Sequence, residues 1–244
     1  MSGTQTAALA VLLAFAAPMI ASGQDAQPIA ATANVPGSAT RPQVTFTFDR
    51  KGLPVPKYRL TIQEDGATVY EGEESQGSGS GVAASPVHPF SSTVRISPTT
   101  AAHMISTARK LDYFNIVCAS KAKNIADTGT KILSYAAPDG TGSCTFNYTE
   151  NKDVQALTDI IQGITETMDR GRELDHLRRF DRLGLDAAIT FLAQEVSEGH
   201  ALELGTIAAS LRSIVADHEV MDRVRTRANK LLMLIPAEVP QNDP

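Results

Sequence analysis

The spacing of apolar residues changes at about residue 150 of this 244-residue chain. Before that point short runs alternate apolar and polar residues, as from Val44 to Arg50, which predicts β-strands. One helix is expected among them, with Ser97 as N-cap and Pro98 as its first residue. Beyond Asn151 apolar residues recur every three or four positions, as in amphipathic helices. Strands followed by a series of helices are typical of an α+β fold. We expect a small, mainly antiparallel sheet with packed helices, followed by an antiparallel α-helical subdomain.

The first 23 residues carry no charged side chain and include an apolar run from Ala7 to Ile20. Ala21 and Gly23 place small residues at the −3 and −1 positions of a cleavage site, which indicates a secretory signal peptide. An uncleaved membrane anchor is the alternative, but the run is shorter than the roughly 20 residues that a span needs. We therefore expect a periplasmic or secreted protein with no stable membrane span after cleavage.

Composition divides the rest of the chain into four parts. Residues 24–42 are rich in Ala, Pro and Thr without an apolar period, so they are expected to form a disordered leader. An α+β domain is expected over residues 43–180 and a helical subdomain over 181–236. Residues 237–244 form a tail.

The net charge of −5 limits the kind of partner, because the acidic excess lies wholly after residue 150. Binding to nucleic acid depends on clustered cations that neutralise phosphates. We therefore expect no nucleic-acid partner. The expected compartment favours a protein partner in the cell envelope.

The two cysteines, Cys118 and Cys144, are an even number in a chain expected to be exported, which predicts a disulfide. A redox or metal pair would be the alternative, but the sequence has no CxxC motif. Closing a loop of this length stabilises a fold by about 3 kcal/mol in the chain-entropy model.

An Asp-Gly dipeptide at positions 65 and 66 separates two alternating runs and predicts a β-hairpin. A two-residue loop would place Ile62 opposite Val69, and a three-residue loop would place Leu60 opposite Tyr70. The sequence leaves both registers open.

Three acids follow the second run of this hairpin, Glu71, Glu73 and Glu74. They are a candidate surface for a basic partner or a cation. The alternative is a charged strand end that discourages edge-to-edge aggregation. The Gly- and Ser-rich residues from Gly72 to Pro89 are expected to form a flexible loop.

No motif in the sequence predicts a catalytic residue, a cofactor site or a metal site. The histidines do not follow a zinc-binding spacing and are expected to be solvated surface residues; they are His88, His103, His176, His200 and His218. The expected function is non-catalytic binding or scaffolding. An unrecognised hydrolase, whose triad can be dispersed in sequence, and a protein inhibitor of an exported enzyme are the alternatives.

Residues of the hairpin region also match a family pattern in which a proline precedes Y-x-L-x-I-x-x-D-G-x-x-x-Y-x-G. The matching residues are Arg50, Pro56, Tyr58, Leu60, Ile62, Asp65, Gly66, Tyr70 and Gly72. The region resembles the DUF6438 type of uncharacterised exported bacterial domain, over about residues 45 to 169. The paired cysteines of that family are replaced here by residues such as Val55, so no role of those cysteines transfers. The resemblance implies a fold and a compartment and no known activity.

Overall fold

The computed structural model describes residues 41–75 and 87–236. The expected signal peptide, nearly all of the leader and the tail lie outside these residues. The described residues form one antiparallel sheet and five α-helices, which confirms the α+β class. None of the helices in the described ranges has the length and apolar character needed to cross a membrane.

The sheet has six strands in the order β4-β3-β2-β1-β5-β6, and each pairs antiparallel with its neighbours. The strands are β1 (Gln43–Asp49), β2 (Lys57–Gln63), β3 (Ala67–Ser75), β4 (Val87–Arg95), β5 (Thr130–Ala137) and β6 (Gly140–Phe146). In β1, for example, Val44, Phe46 and Phe48 are buried while the residues between them are half-buried. This alternation gives the sheet one covered face and one face that meets solvent.

The helices are α1 (Pro98–Lys110), α2 (Lys152–Phe180), α3 (Gly184–Glu198), α4 (Ala208–Ala216) and α5 (Asp222–Met233). Helices α1 and α2 supply apolar side chains to the core on the covered face of the sheet. A second core joins α3, α4 and α5 to the last turns of α2. Helix α2 therefore contributes to both cores, with Met168 in the first and Leu174 in the second. Gly171 allows the close approach of Ile207, because a Cβ there would clash with the Ile207 side chain.

The β2–β3 hairpin has the three-residue loop, since Leu60 pairs with Tyr70. Gly66 closes the turn at φ +84°, a conformation that glycine adopts without steric cost. A Cβ at this position would lie 2.5 Å from the carbonyl oxygen of Ile96, so the turn also needs a residue without a side chain.

The predicted loop from Gly72 to Pro89 was wrong at both ends. Strand β3 continues to Ser75 and pairs with β4, which begins at Val87; residues 76–86 lie outside the described residues. Packing explains the extension, because the ring of Phe90 lies over Gly72, where a Cβ would be 2.6 Å from it. Only Pro138 and Asp139 separate β5 from β6.

Candidate functional site

A cleft of about 740 Å³ opens at one end of the sheet, beside the first half of α2. Its walls come from the end of β1, the loop before β5, the loop after β6 and the helix itself. Arg50, Lys131, Tyr148 and Lys152 are among its lining side chains. The volume lies within the range of sites that hold small ligands or short peptide segments.

Lys131 begins the buried stripe of β5 and is only 6 % exposed. Its Nζ donates to the Asn147 carbonyl at 2.9 Å and to the Thr128 Oγ1 at 3.0 Å, and lies 5.7 Å from the centroid of the Phe48 ring. These partners satisfy a buried ammonium without neutralising its charge. Burial lowers the pKa of Lys131, and the positive charge of Arg50 lowers that pKa further.

Three cations line this cleft without an ion-pairing acid. Within the described ranges, no carboxylate oxygen lies within 4.0 Å of a side-chain nitrogen of Arg50, Lys131 or Lys152. Glu150 and Asp159 also line the cleft, but they accept hydrogen bonds from neutral side chains. The cleft can therefore take one negative group without displacing an internal ion pair.

The wall of the cleft is held in place by hydrogen bonds and a disulfide. Asn147 accepts from the Thr128 backbone N–H at 2.7 Å and donates to the carbonyl of Ala126 at 2.9 Å. The predicted disulfide is confirmed, with the Cα atoms of Cys118 and Cys144 5.8 Å apart. It ties the segment before β5 to β6, so the loops that carry the polar lining groups are cross-linked to the sheet.

A smaller cavity of about 310 Å³ lies at the start of α1. Glu203, which lines it, accepts hydrogen bonds from the Ser97 backbone N–H at 2.8 Å and the Ser97 hydroxyl at 2.7 Å, and also from the Thr100 hydroxyl. Its backbone is left-handed, with φ +54° and ψ +50°. The carboxylate therefore acts as a helix cap supplied by a residue more than 100 positions away, and it occupies the anion position at this helix end.

The acids predicted as a partner surface lie on two faces of the sheet. Glu71 and Glu73 lie on the solvent face of β3, opposite Arg59 and Lys57 in the register. Glu74 is one position further along and lies on the other face, where its charge raises the pKa of Asp169. The structure therefore does not bring these three acids together.

All five histidines have exposed side chains. His200 approaches two acids, because the Gly199 turn directs the chain back along α3: its Nδ1 lies 3.5 Å from both Glu195 and Glu198. These three groups could approach one metal ion. A protonated His200 would bridge the two carboxylates equally well at the negative end of the helix.

Sequence reasoning missed the cations of the cleft. A signal was present for Lys131, which occurs in the same alternating stripe as the apolar residues Leu133 and Tyr135. A charged residue in such a stripe must find polar partners inside the protein. Arg50 and Lys152 gave no comparable signal, because each lies at the end of an element where charged residues are common.

No protein-family model matches the chain, and a search of curated proteins gives no match either.

Proposed function

We propose that this protein is an exported binding module of the bacterial cell envelope, periplasmic or secreted, whose cleft holds an acidic segment of a protein partner. The observation that carries the proposal is the set of three cations in one cleft without an ion-pairing acid in the described part of the chain. The charge-free signal-like segment and the disulfide support export.

The lining groups favour a peptide carboxylate over a phosphate. Glu150 and Asp159 would repel a group with two negative charges. The amide side chains of Gln155 and Gln162 also line the cleft and are suited to backbone N–H and C=O groups. A single carboxylate near Arg50, flanked by peptide backbone, therefore matches the charges and the hydrogen-bonding groups present.

Binding can be tested with a labelled, terminally blocked peptide that contains one glutamate and with its glutamine counterpart, by fluorescence polarisation. We expect the glutamate peptide to bind more tightly and its affinity to fall with salt. Arg50→Gln and Lys152→Gln should each weaken binding about tenfold, the loss of one charged hydrogen bond. Arg59→Gln, on the solvent face of the sheet, is the matched control and should have no effect.

Equal binding of the two peptides, or equal loss in the Arg59→Gln control, would refute the cleft as an acidic-peptide site. Export is tested separately, by fusing residues 1–43 to alkaline phosphatase, which is active only outside the cytoplasm. An inactive fusion would remove the envelope from the proposal and leave the cleft test unaffected.

A further inference from the structure

A second cluster of polar groups lies where the outer hairpin β3–β4 packs against the middle of α2. The Tyr70 hydroxyl donates to Asp169 Oδ1 at 2.9 Å, and Arg172 Nη2 lies 3.0 Å from the same oxygen. The guanidinium of Arg172 lies over the Phe90 ring, 3.5 Å from its centroid. The Asp169 carboxylate therefore binds the Tyr70 hydroxyl of β3 directly and contacts the Phe90 ring of β4 through Arg172.

The groups that face Asp169 come from all the neighbouring elements. On α2 these are Glu166, which pairs with Arg170 at 2.6 Å, and Arg172. On β3 they are Tyr70 and Glu74, and β2 contributes Tyr58. On β4, His88 lies opposite Glu74 in the register.

Burial raises the pKa of Asp169 to about 6, against the opposing effects of the Arg172 charge and the Tyr70 hydrogen bond. The charges of Glu166 and Glu74 raise this pKa further. Burial, followed by the charge of Asp169, raises the pKa of Tyr70, so the phenol keeps its proton at every pH at which the carboxylate titrates.

We propose that this cluster is a proton-dependent switch, in which protonation of Asp169 releases Arg172 from its ion pair and from its place over the Phe90 ring. Arg172 Nε and Nη1 are buried without a hydrogen-bond partner among the described residues, so Asp169 is the polar group that holds this side chain. A neutral Asp169 leaves a poorly solvated guanidinium, which moves towards water and away from Phe90. The contact between α2 and β4 through Arg172 and Phe90 is then lost, while the rest of the fold stays intact.

The switch can be tested by NMR on the full chain between pH 8 and pH 4.5, through the Asp169 carboxyl carbon, Arg172 Nε and the Phe90 ring. We expect the three signals to change together with a midpoint near pH 6. Asp169→Asn should abolish the transition, and Asp222→Asn, at the exposed start of α5, should leave it unchanged.

Arg172→Gln provides a second test if Asp169→Asn does not fold. Removing the cation should move the Asp169 midpoint upward, since the charge of Arg172 lowers the pKa of this carboxyl. A wild-type midpoint below pH 4.5 would overturn the switch. So would Arg172 and Phe90 signals that do not follow the carboxyl signal.

Discussion

Replacing Glu203 by alanine should destabilise the whole protein, although the residue is in a loop of the helical region. Its carboxylate accepts three hydrogen bonds at the start of α1, two from Ser97 and one from Thr100. Hydrogen bonds to charged groups contribute about 1.5–3 kcal/mol each, and a negative charge at a helix N-terminus about 0.3–1 kcal/mol. Water can replace part of these contacts at a half-buried site, so we expect a loss of about 2–4 kcal/mol.

Thermal unfolding is a suitable assay for this variant. For a protein of this size each kcal/mol lowers the Tm by about 2–4 °C, so Glu203→Ala should lower it by roughly 4–16 °C. Glu64→Ala is the matched control, because Glu64 is half-exposed and has only a 3.6 Å ion pair with Arg109. Such a surface change should stay within about 0.5 kcal/mol.

The backbone of Glu203 gives a second comparison. At its φ of +54° a residue with a Cβ has a conformational strain of about 1 kcal/mol or more, and glycine has none. Glu203→Gly should therefore be less destabilising than Glu203→Ala by about 1 kcal/mol, although both lose the carboxylate. If the alanine variant unfolded within 1 °C of the Glu64→Ala control, the reasoning about the remote cap would be refuted.

Three further outcomes are expected. The raised pKa of Asp169 means that the folded state binds its proton more tightly than the unfolded state, so the stability this group contributes is complete below about pH 4 and is lost as the pH rises through 6. The free energy of unfolding of Asp169→Asn, measured relative to the wild type by denaturant titration, should therefore be about 2–3 kcal/mol higher at pH 7.5 than at pH 4. A difference that does not change with pH would contradict this. Replacing Cys118 and Cys144 by serine should cost about 3 kcal/mol, and the native protein should show no free thiol in a titration. Gly66→Val should lower the free energy of unfolding by about 2 kcal/mol more than Gly52→Val. Both glycines have positive φ, but of the two only Gly66 faces a backbone oxygen within 4 Å. Equal losses of stability in urea unfolding would exclude that clash.

The periodicity of the sequence was sufficient to predict the fold class and where α1 and α2 begin. The stripe from Val154 to Met168 identified the first half of α2, and Ser97 was recognised as a helix cap that accepts from the Thr100 N–H. Local patterns of this kind determine where an element begins to within a few residues.

The cleft and the Asp169 cluster depend on contacts between residues far apart in sequence. Tyr70 and Asp169 are 99 positions apart, and Ser97 and Glu203 are 106. One of the two hairpin registers left open by the sequence pairs Tyr70 with Leu60, but neither register could show which helical residue would meet the Tyr70 hydroxyl. The charge of Glu203 was equally uninformative, because a glutamate in a polar loop is normally solvated.

Helix α2 connects the two proposed sites and determines how their tests must be separated. Gln162 lines the cleft, and Asp169 lies seven residues further along the helix, two turns or about 10 Å away. Tyr58 lies beside both: burial raises its pKa to about 12, and the side chains of Asp169 and Gln162 also affect this pKa. A substitution at Gln162 would therefore disturb both sites. Arg50 follows β1 and is not among the groups that shift the pKa of Asp169, so changes there test peptide binding without altering the proton switch.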